Sequence, residues 1–141
     1  MSLKYEVNIL LVEDSPEDGE MTVRTLQKRG VVNNIIWIKD GQEGLDFFNR
    51  PPPDRMIVLL DLKLPRVNGL EILKRIKENP QTAKIPVIIL TSSQENKDLE
   101  EAYRLGANSY IVKPVDFNQF SHAIHDIGHY WLLLNKIPYD D

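Results

Sequence analysis

Three carboxylate side chains stand directly after two apolar runs of this 141-residue chain. Glu13 and Asp14 follow the run that ends at Val12, and Asp61 follows the run Met56–Leu60. If the two runs are neighbouring strands, the acids meet at one edge of a sheet, where packing like charges is unfavourable unless a cation compensates. Carboxylate oxygens are ligands that Mg²⁺ prefers, so the pattern predicts a site for Mg²⁺ or a similar divalent ion.

A hydroxyl group and an ammonium group follow two further apolar runs. Thr91 comes after Pro86–Leu90, and Lys113 comes after Ser109–Val112. Taken singly, a threonine here commonly satisfies a turn and a lysine is commonly a solvated charge. Together with the acids, they predict a site that takes up a phosphoryl group. Asp61 would be the nucleophile, the metal would neutralise charge, and Thr91 with Lys113 would hold the remaining equatorial oxygens.

Short apolar runs alternate with helical patterns along the chain, which is typical of βα units around a parallel sheet. Most runs are continuous rather than alternating, as expected for strands that are buried on both faces. The predicted strands are Val7–Val12, Ile35–Lys39, Met56–Leu60, Pro86–Leu90 and Ser109–Val112. The predicted helices are Glu17–Arg29, Gly41–Asn49, Gly69–Asn79, Asn96–Leu105 and Asp116–Asn135.

Five such units favour a doubly wound α/β fold, (βα)5, with parallel strands in the order 2-1-3-4-5. The ligand crevice of this fold lies at the carboxyl ends of strands 1 and 3, where the three acids stand. One alternative stays open, because Glu13 and Asp14 would also suit the N-terminus of a helix that begins near Glu17. Asp61 could be a surface turn residue, but its position coincides with the crevice that the strand order predicts.

Composition narrows the functional classes. The chain is 42% hydrophobic and 27% charged, which predicts one globular domain over residues 1–141. A net charge of −4 gives no general basic field for nucleic acid. The absence of cysteine removes disulfides, thiolate metal sites and cysteine nucleophiles. No run approaches the roughly 18 apolar residues that span a bilayer, and no secretory signal begins the chain, so we expect a cytoplasmic protein without membrane contacts.

Four motifs resemble the receiver domain of two-component response regulators, over essentially the full length of the chain. They are LVEDS after strand 1, LLDLKLPRVNGLEILKRIK around strand 3 and its helix, PVIILTSS at strand 4, and LGANSYIVKPVDF across strand 5. The set is specific, although no single motif would be. The resemblance implies a flavodoxin-like fold and a protein that accepts a phosphoryl group from a sensor histidine kinase and then signals through a conformational switch.

The resemblance also implies how the phosphoryl group is received. Asp61 would be the phosphoacceptor in an Mg²⁺-dependent reaction. Asp14 and Asp61 would bind the metal directly, Lys63 would bind it through its backbone carbonyl, and Glu13 would act through water. The lifetime of the acyl phosphate would depend on the side chains of Lys63 and Ser93, which stand two residues after the acceptor and two after the strand-end threonine.

Four further residues match the switch of the family. Thr91 and Lys113 match the switch hydroxyl and the invariant lysine. Tyr110 matches the aromatic that swings inward as Thr91 moves toward the phosphoryl group, although a half-buried strand aromatic is the alternative. Pro114 matches a position that is usually cis, so a cis Lys113–Pro114 bond is expected. The added charge would shift the face formed by helix 4, strand 5 and helix 5.

The last predicted helix has more apolar surface than the sheet can cover. One stripe, expected to face the sheet, consists of Phe117, Phe120, Ile124, Ile127, Trp131 and Leu134. Tyr130, Leu132 and Leu133 lie off this stripe, which predicts a partner surface and most simply a symmetric homodimer; a tail or loop folding over it is the alternative. The motifs PVDFNQF and YWLLLNKIP look like those of stand-alone receivers that include the regulators of bacterial phytochrome kinases. The expected partner is therefore a sensor histidine kinase, with a phytochrome-like kinase as one candidate, since related regulators pair with other sensors.

Three other functions compete with that of a phosphoacceptor. A phosphohydrolase of the haloacid dehalogenase type carries a second aspartate two residues after the nucleophile, where this chain has Lys63. A flavin-binding electron carrier needs a loop that cradles phosphate, whereas Glu13–Asp18 is acidic. A receiver-like module that works without phosphorylation usually lacks a key residue, and all are present. No output domain is expected after Asp141, so we expect signalling through contacts with a downstream protein and no enzymatic activity beyond phosphotransfer to the chain itself and slow autodephosphorylation.

Overall fold

The computed structural model describes residues 7–28 and 32–134, without the side chains at positions 32, 33, 133 and 134. The strands are β1 (Val7–Val12), β2 (Val32–Ile38), β3 (Met56–Leu60), β4 (Val87–Thr91) and β5 (Ser109–Val112). The helices are α1 (Pro16–Gln27), α2 (Gly41–Phe47), α3 (Gly69–Glu78), α4 (Asn96–Arg104) and α5 (Phe117–Gly128). A π-helical segment, His129–Leu134, continues α5.

All strand pairs are parallel, and the order is β2-β1-β3-β4-β5. The predicted doubly wound fold with strand order 2-1-3-4-5 is therefore confirmed. Val12 pairs with Leu60, so β1 and β3 end at the same level. The backbone N–H of Asp61 donates to the carbonyl oxygen of Val12 at 3.0 Å, which carries the pairing one residue past the strand. This register brings the residues that follow the two strands to one edge of the sheet.

The sheet is covered on both faces, as its continuous apolar strands predict. Successive side chains of a strand point to opposite faces. Leu10 and Val12 therefore join the cluster that includes Ile72 and Ile76 of α3. The intervening positions of β1 join a second cluster, whose buried members are Val7, Ile9, Leu11, Met21, Leu26, Ile57, Leu59, Ile88, Leu90, Phe120, Ile124, Ile127 and Leu132. Among the helices of the described residues, none combines the length and apolar character needed to cross a bilayer.

Element boundaries differ from the sequence predictions by a few residues. The strand predicted as Ile35–Lys39 begins earlier, at Val32, and ends at Ile38. The strand predicted as Pro86–Leu90 ends at Thr91, which is therefore the last residue of β4. The predicted end of the first helix at position 29 lies outside the described residues. These differences leave the predicted site residues at the same edge of the sheet.

The last helix differs from the predicted uninterrupted helix Asp116–Asn135. The helix is α-helical to Gly128 and then continues as the π-helical segment. A π turn forms hydrogen bonds between residues five apart, so it advances the helix face by one residue relative to an α turn. Leu132, five residues after Ile127, is thereby placed in the core beside it, with 8% exposure. Trp131 packs against the same cluster as a partly buried side chain.

Two predictions for this helix are therefore wrong. Phe117 was predicted to face the sheet, but 59% of it is exposed. Leu132 was predicted to form a partner surface, but it belongs to the core. Tyr130, with 50% exposure, does lie on the surface. The side chains of Leu133 and Leu134 lie outside the described part of the structure.

Gly69 lets α3 begin against the end of β3. A Cβ atom at this position would overlap the carbonyl oxygen of Asp61 and lie 2.8 Å from the Cα atom of Leu62. We expect Gly69→Ala to lower the free energy of unfolding by about 1–3 kcal/mol, as overpacking typically does, measured by urea denaturation. Lys74→Ala, on the exposed face of the same helix, is the control and should cost at most about 0.5 kcal/mol. Equal denaturation midpoints for the two variants would contradict the tight packing.

Candidate functional site at the carboxyl edge of the sheet

Glu13, Asp14 and Asp61 lie together where β1 and β3 end. One carboxylate oxygen of each lies within 4.8 Å of the others. Glu13 is 2% exposed and Asp61 is 6% exposed, while Asp14 is open to solvent. In the described part of the chain, no other three acidic or histidine side chains approach one another so closely. The structure thus brings together the three acids that the sequence predicts at one site.

Lys113 is the cation of this site. Its Nζ atom lies 2.6 Å from Glu13 Oε1, 2.9 Å from Asp18 Oδ2 and 3.0 Å from Asp61 Oδ2. Burial acts to lower the pKa of Lys113, but its hydrogen bond with Glu13 and the negative charge of Asp61 outweigh burial and raise the pKa above its ordinary value. Lys113 is therefore an ammonium ion at neutral pH, paired with three carboxylates.

The position of Glu13 is fixed from several sides. Its Oε2 atom accepts a hydrogen bond from the backbone N–H of Ser15 at 3.1 Å, and its carbonyl oxygen accepts one from Trp37 Nε1 at 2.8 Å. Burial raises the pKa of Glu13 to about 7; the hydrogen bond from Lys113 opposes this rise, and the charge of Asp61 adds to it. The buried carboxyl is thus fixed in position, and it takes up a proton at a higher pH than an ordinary glutamate does.

Two residues of this site were missed by the sequence analysis. Asp18 was considered only as part of an acidic loop, although its place in the first turn of α1 was a signal that it could face the crevice. Trp37 lies on β2, where a tryptophan is ordinarily a packing residue, and no sequence signal pointed to the carbonyl of Glu13. Both contacts join segments far apart in sequence, 95 residues in the case of Asp18 and Lys113.

Lys63 begins at the crevice and reaches toward α4. Its backbone N–H donates to Asp61 Oδ1 at 3.3 Å. Its Nζ atom lies 3.3 Å from Asp98 Oδ2 and 3.8 Å from Glu95 Oε1. A hydrogen bond from Ser93 and the ammonium of Lys63 hold the pKa of Asp98 below its ordinary value. The backbone of Lys63 is thus at the acceptor, while its side chain is paired elsewhere.

Two of the predicted switch residues, Thr91 and Tyr110, contact Ser93 in the loop between β4 and α4. Thr91 is fully buried, and its Oγ1 atom accepts a hydrogen bond from the backbone N–H of Ser93 at 3.4 Å. The hydroxyl of Tyr110 donates to the carbonyl oxygen of Ser93 at 3.1 Å. Burial raises the pKa of Tyr110, so the phenol remains protonated and able to donate. Tyr110 therefore contacts the same loop as Thr91 and is more than a packed strand aromatic.

The predicted cis bond before Pro114 is wrong. Every peptide bond in the described residues, including Lys113–Pro114, is trans. The trans form is the lower-energy isomer of an X–Pro bond by about 0.5–1 kcal/mol. In this trans arrangement the side chain of Lys113 already reaches three carboxylates, so its placement in the crevice requires no cis bond.

The charges of the crevice fit a divalent cation. Glu13, Asp18 and Asp61 pair with the ammonium of Lys113, and a fourth carboxylate, that of Asp14, lies beside Glu13 and Asp61. This negative excess is unfavourable in a largely buried site, and hard oxygen ligands are those of Mg²⁺. Asp14 and Asp61 would be the direct ligands of such an ion. Glu13 is already engaged with Lys113, which suits a contribution through water.

A comparison with protein families identifies the class of protein. The family model of the response regulator receiver domain matches residues 9–125. This range begins within β1, includes the other four strands in full and ends within α5. The chain belongs to this family. It is a response regulator of receiver type, with the acidic pocket at the carboxyl edge of a five-stranded parallel sheet.

Three known proteins are similar to this chain over most of its length. The probable methanogenesis regulatory protein FilR2 of Methanothrix harundinacea is 38% identical over 92% of this chain and 86% of its own length. Response regulator Rcp1 of Synechocystis is 33% identical over 92% of each chain, and its Mn²⁺-bound structure has a TM-score of 0.85. The phosphorylated cyanobacterial phytochrome response regulator RcpA is 31% identical, with a TM-score of 0.87 over 94% of this chain and 99% of its own.

Proposed function

We propose that this chain accepts a phosphoryl group on Asp61 from the phosphohistidine of a sensor histidine kinase, in an Mg²⁺-dependent reaction. The observation that carries the proposal is the contact of Lys113 with Asp61 and Glu13, at 3.0 and 2.6 Å, beside the exposed carboxylate of Asp14. A cation held against the nucleophile, with an exposed acid beside it to bind a metal, is the arrangement that phosphoryl transfer needs.

The transfer is a displacement at phosphorus. A carboxylate oxygen of Asp61 forms a bond to phosphorus while the bond between phosphorus and the imidazole nitrogen breaks, and the nitrogen leaves with its electron pair. Lys113 and the backbone N–H of Lys63 orient the carboxylate, which they contact at opposite oxygens. A bound Mg²⁺ supplies charge neutralisation for the oxygens of the transferred group. The product is an acyl phosphate on Asp61.

The phosphoryl group is proposed to act on the loop between β4 and α4. It adds roughly −1.5 to −2 of charge, which attracts the hydroxyl of Thr91 and the ammonium of Lys113. Because Thr91 accepts the N–H of Ser93, and Ser93 accepts the hydroxyl of Tyr110, a movement of Thr91 changes the environment of both. The predicted result is a shift of the face formed by α4, β5 and α5, which a downstream protein would recognise.

The proposed setting is a two-component system of the cytoplasm, in which residues 1–141 form one receiver domain with an extended last helix. Similarity to RcpA supports a phytochrome-like kinase as the partner. Neither nucleic acid nor a membrane is a proposed partner. A homodimer through the last helix has less support, because Leu132 packs in the core. Among the predicted surface residues whose side chains the structure describes, only Tyr130 is exposed.

Two alternative functions are less well supported. A receiver-like module that binds partners without phosphorylation has no need of a buried ammonium paired with three acids. An aspartate-based phosphohydrolase needs an acid two residues after the nucleophile, and the side chain of Lys63 is a cation paired with Asp98. Catalysis by this chain is proposed to extend no further than slow hydrolysis of its own acyl phosphate.

The proposal is tested with a small-molecule donor. We expect the full chain, incubated with acetyl phosphate and MgCl₂, to gain the mass of one phosphoryl group in intact-mass spectra. The acids repel the negative charge of the incoming phosphoryl group unless a metal ion neutralises them, so the adduct should be lost when EDTA removes the metal. An adduct that forms equally well in EDTA would contradict the metal site, and the absence of any adduct with several donors would contradict the proposed function.

A further inference from the structure

Asp98 is a buried carboxylate that lies outside the acidic crevice and takes no part in the proposed transfer. It is the third residue of α4 and is 7% exposed. Its Oδ2 atom accepts a hydrogen bond from Ser93 Oγ at 2.6 Å and lies 3.3 Å from Lys63 Nζ. A buried charge is unfavourable without partners. Asp98 is therefore held in place by one residue from each of the two loops that border the crevice.

Ser93 connects Asp98 to the predicted switch residues. Its hydroxyl donates to Asp98 and accepts the backbone N–H of Glu95 at 3.3 Å. Its backbone N–H and carbonyl bind Thr91 and Tyr110. The N-cap residue of α4, Glu95, makes no side-chain capping hydrogen bond. The hydrogen bond between Ser93 and Asp98 thus provides the side-chain attachment of the start of α4 to the loop.

Lys63 connects Asp98 to the phosphoacceptor. The backbone N–H of Lys63 lies 3.3 Å from Asp61 Oδ1, while its ammonium pairs with Asp98. The lysine side chain is 53% exposed, so it can reorient, whereas the side chain of Asp98 is only 10% exposed and fixed. A lysine stem is flexible enough to turn toward a new anion close to its own backbone. A phosphoryl group on Asp61 would be such an anion.

We propose that Asp98 is a positioning residue that keeps the ammonium of Lys63 away from Asp61, and that the phosphoryl group on Asp61 competes with Asp98 for this ammonium. The inference deepens the proposed function and rests on it for the phosphorylated state. When Lys63 turns to the phosphoryl group, Asp98 loses its charge partner, and the attachment of α4 to the loop weakens. The same movement shields the acyl phosphate from water.

A double-mutant cycle on the phosphoryl lifetime tests this competition. We expect Asp98→Asn to lengthen the lifetime about two- to fivefold, because Lys63 is then free to cover the phosphoryl group. In a Lys63→Met background the same substitution should have no effect. Glu95→Gln is the control, since its pair with Lys63 is longer, at 3.8 Å, and half exposed on both sides, so the lifetime should not change. An equal change with and without Lys63 would overturn the proposal, because it would indicate a merely structural role.

Hydrogen exchange of the unphosphorylated chain provides a second test that does not depend on phosphotransfer. Asp98→Asn should speed the exchange of the backbone amides at Asp98 and Leu99 about fivefold or more, as the charge-assisted attachment of α4 is weakened. Glu95→Gln should leave them unchanged. Equal exchange in the wild type and in Asp98→Asn would overturn the role of Asp98. If acetyl phosphate gave no adduct while this result held, the proposed function would fail and the attachment would stand.

Discussion

Asparagine at position 61 is expected to abolish phosphorylation of the chain. The substitution Asp61→Asn keeps the shape of the side chain but replaces an anionic oxygen nucleophile with a neutral amide. No acyl phosphate can then form at the end of β3. Intact-mass spectra after incubation with acetyl phosphate and Mg²⁺ should show the mass of one phosphoryl group on the wild type and none on the variant.

The matched control for this experiment is Asp18→Asn. Asp18 contacts the same ammonium of Lys113, at 2.9 Å, but lies on α1 and is not the proposed nucleophile. This variant should still form the adduct, although more slowly than the wild type. If Asp61→Asn formed the adduct while remaining folded, as judged by thermal denaturation, the phosphoacceptor would have to be another acid. Asp14 would then be the next candidate.

The location of the acceptor could be predicted because it depends on features that a sequence displays. β3 is five consecutive buried residues, which is the pattern of a strand covered on both faces. Turn signals bound each strand, and the handedness of βα units leaves few strand orders. Once the order is 2-1-3-4-5, the residues after Val12 and Leu60 have to meet. Asp61 was therefore located by topology, with no knowledge of side-chain contacts.

Contacts between distant segments could not be predicted in the same way. Asp98 lies on a helix whose sequence suggests only a favourable acid in the first turn, and its partners come from two separate loops. The π-helical segment has no sequence signature either, because α and π turns accept the same residue types. The change from α to π turns rotates the helix face, so Leu132 lies in the core and not on the predicted surface. These features depend on packing, which a pattern of residue types does not specify.

Replacing Lys113 with methionine is expected to slow phosphorylation about 100-fold or more, the usual cost of removing one preorganised charge contact to the developing transition state. The ammonium now compensates Glu13, Asp18 and Asp61, and methionine keeps the length of the side chain without the charge. The acids would then repel the incoming phosphoryl oxygens. The measurement is the rate constant for adduct formation at saturating Mg²⁺ and fixed acetyl phosphate.

Lys77→Met is a control for the loss of a partly buried lysine. Lys77 Nζ also has three oxygen partners, at 3.0 Å from Ala83, 2.7 Å from Ile85 and 3.1 Å from Asn108. These contacts join α3 to the segments beside β4 and β5, away from the crevice. We expect Lys77→Met to lower the free energy of unfolding while the rate constant of the folded protein stays within about twofold of the wild type. If both variants slowed the reaction equally, the effect of Lys113 would reflect a weakened fold and not its charge beside Asp61.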